Sequence, residues 1–165
     1  MTDAMTPRQA IEFAVKTEEL GEKFYKQLAL KFSDQPELKE LFELLGKDEV
    51  MHAAQFSKLL EAMPPDDGVS TGPEFQYLRA MSLSQFFMGQ DGLKKMARKI
   101  EGKDEALGIA FELEKATLHF YTALREVLGQ NDAIDDVIEA EKAHLMKVMQ
   151  YIITDSKFRG LADKW

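Results

Sequence analysis

The chain has 165 residues, a length that suits a single domain with a substantial core. Its 29 acidic and 21 basic residues give a net charge of −8, which argues against a nucleic-acid or anionic-membrane surface. It contains no cysteine, so disulfides, thiol chemistry and sulfur-ligated metal are excluded within these residues. The first residues show no signal-peptide pattern and no apolar run approaches membrane-spanning length, so we expect a cytoplasmic location.

The first half of the chain predicts a helical hairpin over about residues 7–63. Thr6 suits an N-cap, Pro7 suits the first helical turn, and Gln9 completes a capping box. The first helix is expected to end near Phe32, and the residues up to Pro36 start a second helix that reaches Met63. The short connection favours antiparallel neighbours.

Residues 64–102 are predicted to join this hairpin to a second one over about residues 103–154. A structureless connection of that length would be unusual in a compact domain, so we expect an extended start followed by one or two short helices. The third long helix is predicted from about Asp104 to Gly129. Asn131 or Asp132 is expected to cap the fourth, which should reach about Thr154.

Apolar residues recur at helical spacing in all four long segments, as on the core-facing side of a bundle helix. Four glutamates interrupt these stripes near their middles: Glu18, Glu49, Glu114 and Glu141. Two histidines, His52 and His144, follow Glu49 and Glu141 by three residues and therefore share their helix faces. Because a buried glutamate is costly unless it is paired or binds metal, this pattern indicates a cation.

The two halves of the chain also repeat a motif. Glu18 to Tyr25 and Glu114 to Tyr121 both read Glu-x5-Phe-Tyr, and each copy is followed by a Glu-x-x-His motif. An internal repeat of this kind predicts two helical hairpins related by a pseudo-two-fold axis.

With these motifs, residues 8–60 and 103–152 resemble the rubrerythrin-type members of the ferritin-like superfamily of di-iron carboxylate proteins. The resemblance implies an all-α, ferritin-like antiparallel four-helix bundle over residues 1–165, with a long crossover between the second and third helices. It also implies the metal ligands, one Glu from each of two helices and Glu-x-x-His from each of the others: Glu18, Glu49, His52, Glu114, Glu141 and His144.

This ligand set predicts two metal ions about 3.5–4 Å apart. Glu49 and Glu141 can bridge the ions, Glu18 and Glu114 can each cap one, and each histidine supplies one nitrogen. Oxygen ligands with a few imidazoles suit iron, which we expect, or manganese, and zinc can occupy such a site without redox activity.

Other residues are expected close to the ligands. Tyr25 and Tyr121 lie two turns beyond Glu18 and Glu114, so each can hydrogen-bond a carboxylate or simply fill the core. By resemblance, Asp48 orients a ligating histidine, whereas its counterpart in the second half is Ala140.

Three further positions bear on the ligand set. Glu22, one turn after Glu18, is either a seventh ligand or a partner of a lysine or solvent. Rubrerythrins carry an additional third-helix glutamate that moves with iron oxidation state, and here Thr117 stands one turn after Glu114 with no obvious equivalent. His119 falls off the ligand face and is expected at the surface.

The resemblance implies an oxidoreductase that reduces peroxide or dioxygen. Rubrerythrins carry a four-cysteine rubredoxin-type domain that these residues lack, so a separate donor protein must supply the electrons. The alternatives are a ferroxidase or iron-handling protein, as in ferritin, and a non-catalytic metal-binding bundle. Nucleic-acid and membrane partners are not expected, and assembly into a homo-oligomer is left open.

Overall fold

The computed structural model describes residues 5–65, 73–82 and 90–162, and within these ranges every regular element is a helix. The elements are α1 (Pro7–Lys31), α2 (Pro36–Ala62), α3 (Pro73–Ser82), α4 (Gln90–Lys99), α5 (Lys103–Leu128) and α6 (Asp132–Ala162). The predicted all-α bundle with a crossover between its second and third long helices is therefore confirmed. Over the described ranges, no helix combines the length and the apolar character needed to span a bilayer.

Local signals account for the ends of the long helices. The backbone N–H of Gln9 donates to Thr6 Oγ1 at 3.1 Å, and the Gln9 side chain accepts from the Thr6 backbone at 2.9 Å, as the capping box predicts. Gly129, with a φ of 81°, ends α5 in a conformation that favours glycine. Asn131 then caps α6 by accepting a hydrogen bond from the Ile134 backbone at 3.2 Å.

The long helices form two hairpins, α1 with α2 and α5 with α6. Contacts of α1 with α5 and of α2 with α6 join the hairpins into one bundle. The crossover contains two short helices, of which α3 packs on α5 and α1, and α4 packs on α1. Part of the predicted extended start of this crossover, residues 66–72, lies outside the described residues.

Two apolar clusters fill the bundle, one toward each end. The first contains Phe24, Leu28 and Phe42 with their neighbours, and the second is built around Phe56 and Phe120. The predicted site residues lie between them along each long helix, so a polar layer crosses the middle of the bundle.

The fourth long helix was predicted too short, because α6 continues to Ala162 rather than ending near Thr154. No proline or glycine follows Thr154 until Gly160, so the sequence contains no helix breaker at the predicted end. Asp155 Oδ1, beyond the predicted end, lies 2.7 Å from Lys103 Nζ at the start of α5. This ion pair helps to hold the C-terminal part of α6 against the bundle.

Candidate metal centre

Each long helix brings one or two ionisable side chains into the polar layer. They are Glu18 from α1, Glu49 and His52 from α2, Glu114 from α5, and Glu141 and His144 from α6. All six are at most 5% exposed. Ionisable groups are rarely buried this deeply unless they are paired or bind metal.

The six side chains form two overlapping groups, within each of which one ligand atom per residue lies within 4.8 Å of the others. One group contains Glu18, Glu49, His52 and Glu141, and the other contains Glu49, Glu114, Glu141 and His144. Glu49 and Glu141 thus belong to both. This is the arrangement that two metal ions sharing two carboxylates would require.

Both histidines turn Nδ1 toward the carboxylates. His52 Nδ1 lies 3.0 Å from Glu141 Oε1 and 3.3 Å from Glu18 Oε2. His144 Nδ1 lies 3.3 Å from Glu114 Oε2 and 3.7 Å from Glu141 Oε1. The two rings stack with their centroids 5.4 Å apart, so the nitrogens point into one region.

Five buried atoms of this cluster make no hydrogen bond of acceptable geometry: Glu18 Oε2, His52 Nδ1, Glu114 Oε2, Glu141 Oε1 and His144 Nδ1. Leaving such atoms unsatisfied costs about 1–3 kcal/mol each, and more where the group is charged. All five are oxygen or imidazole nitrogen, which are the donors that divalent iron, manganese or zinc accept. The cluster therefore fits a two-metal site.

Two buried tyrosines hold the outer carboxylates by bonds that cross between α1 and α5. Tyr121 Oη donates to Glu18 Oε1, and Tyr25 Oη donates to Glu114 Oε1. In both glutamates the other oxygen is the unpartnered one. Burial, reinforced by the surrounding carboxylates, raises the pKa of both tyrosines well above the ordinary value, so they remain neutral donors.

A third hydroxyl, which the sequence pattern did not single out as a partner, holds one shared carboxylate. Thr117 Oγ1 donates to Glu141 Oε2 at 2.6 Å and also lies 3.0 Å from the Glu114 carbonyl oxygen. Threonine in a helix usually bonds its own backbone, so the sequence gives little sign of this second contact. Its place on the ligand face of the helix, one turn after Glu114, was the available clue.

Behind one histidine lies an acidic residue. His144 Nε2 donates to Asp48 Oδ2 at 3.0 Å, which orients the ring with Nδ1 toward the cluster. The residue that corresponds to Asp48 in the second half is Ala140, which carries no carboxylate. Among the described residues, no hydrogen bond or ion pair reaches His52 Nε2, so the two histidines are supported unequally.

The shared glutamates bind protons more tightly than ordinary carboxylates when no metal is bound. Burial, together with the charges of Glu114 and Glu18, raises the pKa of Glu141 to about 8. Burial and the neighbouring charges also raise the pKa of Glu49 well above its ordinary value. Glu18 differs: burial tends to raise its pKa, but its contacts with Glu49, His52 and Tyr121 lower it overall.

The histidines are also protonated in the metal-free cluster. Burial alone would lower the pKa of His52, but its contacts with Glu141 and Glu18 raise it to about 10. The pKa of His144 rises to about 9, because Glu114 and the other nearby carboxylates outweigh burial. A metal ion entering the cluster would therefore compete with protons.

Two residues considered in the sequence lie outside the cluster. Glu22 pairs with Lys26 one turn along α1, and its side chain is 24% exposed. It belongs to neither potential metal-binding group found among the described residues. His119 is exposed, and its Nε2 lies 3.3 Å from the Tyr77 hydroxyl of α3.

Comparison with known proteins gives one family. The family model described as Rubrerythrin matches residues 9–152, which include all six clustered residues. No curated protein and no solved structure gives a significant match.

Proposed function

The chain belongs to the rubrerythrin family, and from this premise we propose that it is a di-iron oxidoreductase that reduces peroxide, or dioxygen, with electrons from a separate donor. The main support is the set of five buried, unpartnered oxygen and nitrogen atoms in the middle of the bundle. Two irons would satisfy these atoms and offset the charge of four carboxylates.

In this proposal Glu18 and His52 would hold one ion, and Glu114 and His144 would hold the other. Glu49 and Glu141, which belong to both groups, would serve the two ions together. Two octahedral ions need about twelve coordination positions. Six side chains, two of which serve both ions, leave some of these positions for a small oxidant. An open position of this kind is typical of catalytic metal sites.

The protein's own residues keep the ligands in place and exclude bulk water. Tyr25 and Tyr121 hold the outer carboxylates through hydroxyls that stay protonated. The apolar clusters on both sides of the polar layer close it along the bundle axis. When bound, two ferrous ions would supply the two electrons that, with two protons, convert hydrogen peroxide to two molecules of water.

The electron donor must lie outside these residues. Without cysteine, the sequence contains no site for a rubredoxin-type iron or an iron–sulfur cluster bound by thiolates. We therefore propose a separate donor protein of the rubredoxin or flavoprotein type.

Stopped-flow oxidation of the iron-loaded, reduced protein tests this function. We expect hydrogen peroxide to oxidise the iron faster than dioxygen does, with repeated turnover only when a donor is added. Glu141→Gln should abolish the fast phase, whereas Glu139→Gln should keep it, because Glu139 is exposed on the same helix and pairs with Lys142. If peroxide is no faster than dioxygen, the peroxidase proposal fails and iron handling becomes the better account.

A further inference from the structure

The four clustered carboxylates differ in whether a hydroxyl group donates a hydrogen bond to them. Three accept a hydrogen bond from a hydroxyl on another helix: Glu18 from Tyr121, Glu114 from Tyr25, and Glu141 from Thr117. Glu49 is the exception. Among the described residues no hydroxyl bonds its carboxylate, which lies among other cluster members, with Oε2 3.8 Å from His52 Nδ1.

The internal repeat explains the difference. Aligning Glu18 with Glu114 places Gly21 at the position of Thr117. A Cβ atom on Gly21 would lie 3.2 Å from Glu49 Cδ, closer than ordinary van der Waals contact. Where the second half of the chain has a hydroxyl beside the shared carboxylate, the first half therefore has a bare backbone.

We propose that Thr117 is a positioning residue that fixes Glu141, and that Glu49 is the carboxylate that changes orientation at the metal centre. The proposal rests on the two-metal site of the proposed function. Turning Glu141 would break its 2.6 Å bond to Thr117 and leave a buried hydroxyl without this partner. Glu49 accepts no such hydroxyl bond, so turning it leaves no hydroxyl without its partner.

An adaptable shared carboxylate has a chemical use. By turning, it would leave a coordination position for a small oxidant on a bound ion, with no movement of the helices needed. Glu141, held by Thr117, would keep its place beside the same ions. In this proposal Glu49 therefore changes its orientation, and Glu141 keeps its position.

Binding of zinc tests the role of Thr117. Thr117→Val should weaken binding of the zinc pair about ten-fold, as expected when a partner of a ligand is lost. Thr117→Ser restores the hydroxyl and should restore the affinity. Thr17→Val is the matched control, because Thr17 is also buried and precedes Glu18, but its hydroxyl bonds the Phe13 carbonyl at 2.9 Å. Equal affinity in Thr117→Val and the parent would overturn the positioning role.

Nuclear magnetic resonance of the zinc-loaded protein with ¹³C-labelled glutamate tests the motion. We expect exchange broadening of the Glu49 Cδ signal and a sharp Glu141 signal. Thr117→Val should broaden Glu141, and Gly21→Ala should sharpen Glu49. Gly108→Ala is the control, because a Cβ there meets nothing within 4 Å.

The outcomes separate this inference from the proposed function. If the protein binds two zinc ions but gives equally sharp Glu49 and Glu141 signals, the proposed difference between these two glutamates is wrong, and the proposed metal site is unaffected. A protein that binds no metal pair would overturn both proposals.

Discussion

At the residue scale, each histidine turns Nδ1 inward, but only His144 has a carboxylate behind it. Asp48 accepts from His144 Nε2 at 3.0 Å and so fixes which nitrogen faces the cluster. Ala140, in the equivalent place of the other half, leaves His52 without such a partner. The two proposed metal positions should therefore differ in affinity.

Asp48→Asn tests this inequality. The change keeps an oxygen near His144 but removes its charge, so it should weaken the metal position that contains His144 by about ten-fold. Titration with manganese, followed by electron paramagnetic resonance, resolves the two binding steps. Asp136→Asn, an exposed position on α6, should leave both steps unchanged. Two equal losses in Asp48→Asn would mean that Asp48 acts on the cluster as a whole.

The sequence predicted the six clustered residues because a glutamate in an apolar stripe is conspicuous. It did not predict the Thr117 contact, since a threonine that bonds its own helix backbone produces the same pattern. It also gave no reason to expect that Glu49 alone would lack a hydroxyl partner. That difference depends on how closely α2 approaches α1 at Gly21, a packing distance that periodicity does not specify.

At the element scale, the long helices were predictable because the apolar period runs along each of them and most of their ends carry a local signal; the end of α6 does not. The Thr6 capping box and the glycine after α5 lie where the sequence places them. The short helices α3 and α4 could be expected but not located, because their packing against α1 and α5 depends on tertiary contacts.

The helix ends allow a paired stability test. Thr6→Ala removes the N-cap acceptor of α1 and should lower the free energy of unfolding by about 1 kcal/mol. Gln35, the N-cap of α2, makes no side-chain cap bond, so Gln35→Asp should raise it by about 0.5–1 kcal/mol. Urea unfolding measures both changes.

Thr122→Ala is the control for these cap variants. Thr122 is exposed within α5, and its hydroxyl bonds the Leu118 carbonyl of the same helix. We expect no loss of stability there. A loss equal to that of Thr6→Ala would show that general threonine removal, rather than the cap, is responsible.

At the scale of the whole molecule, all four long helices contribute side chains to one polar layer. Folding therefore brings the cluster together, and the protonation state of the cluster affects the stability of the fold. In the metal-free protein, the pKa of Glu141 is raised to about 8, that of His144 to about 9 and that of His52 to about 10. At pH values between the ordinary and the raised pKa of each group, the folded state thus binds more protons than the unfolded state. Stability must fall as pH rises through this window.

Thermal unfolding at pH 6 and pH 9 tests this consequence. The metal-free protein should have a lower Tm at pH 9, because the protons that stabilise the folded cluster are then being lost. The metal-loaded protein should melt higher at both pH values and change less, since metal ions replace those protons. A Tm that does not respond to a chelator removing the metal would argue against a buried site.

The most direct measurement is the metal content of protein produced with ample iron and purified without oxygen. We predict two irons per chain in the parent. Glu18→Ala should keep about one, because Glu18 belongs to one group only, whereas Glu141→Ala should lose most of both, because Glu141 belongs to both. One iron or none in the parent, or a Glu141→Ala protein that binds iron as well as Glu18→Ala does, would contradict a metal pair that shares these carboxylates.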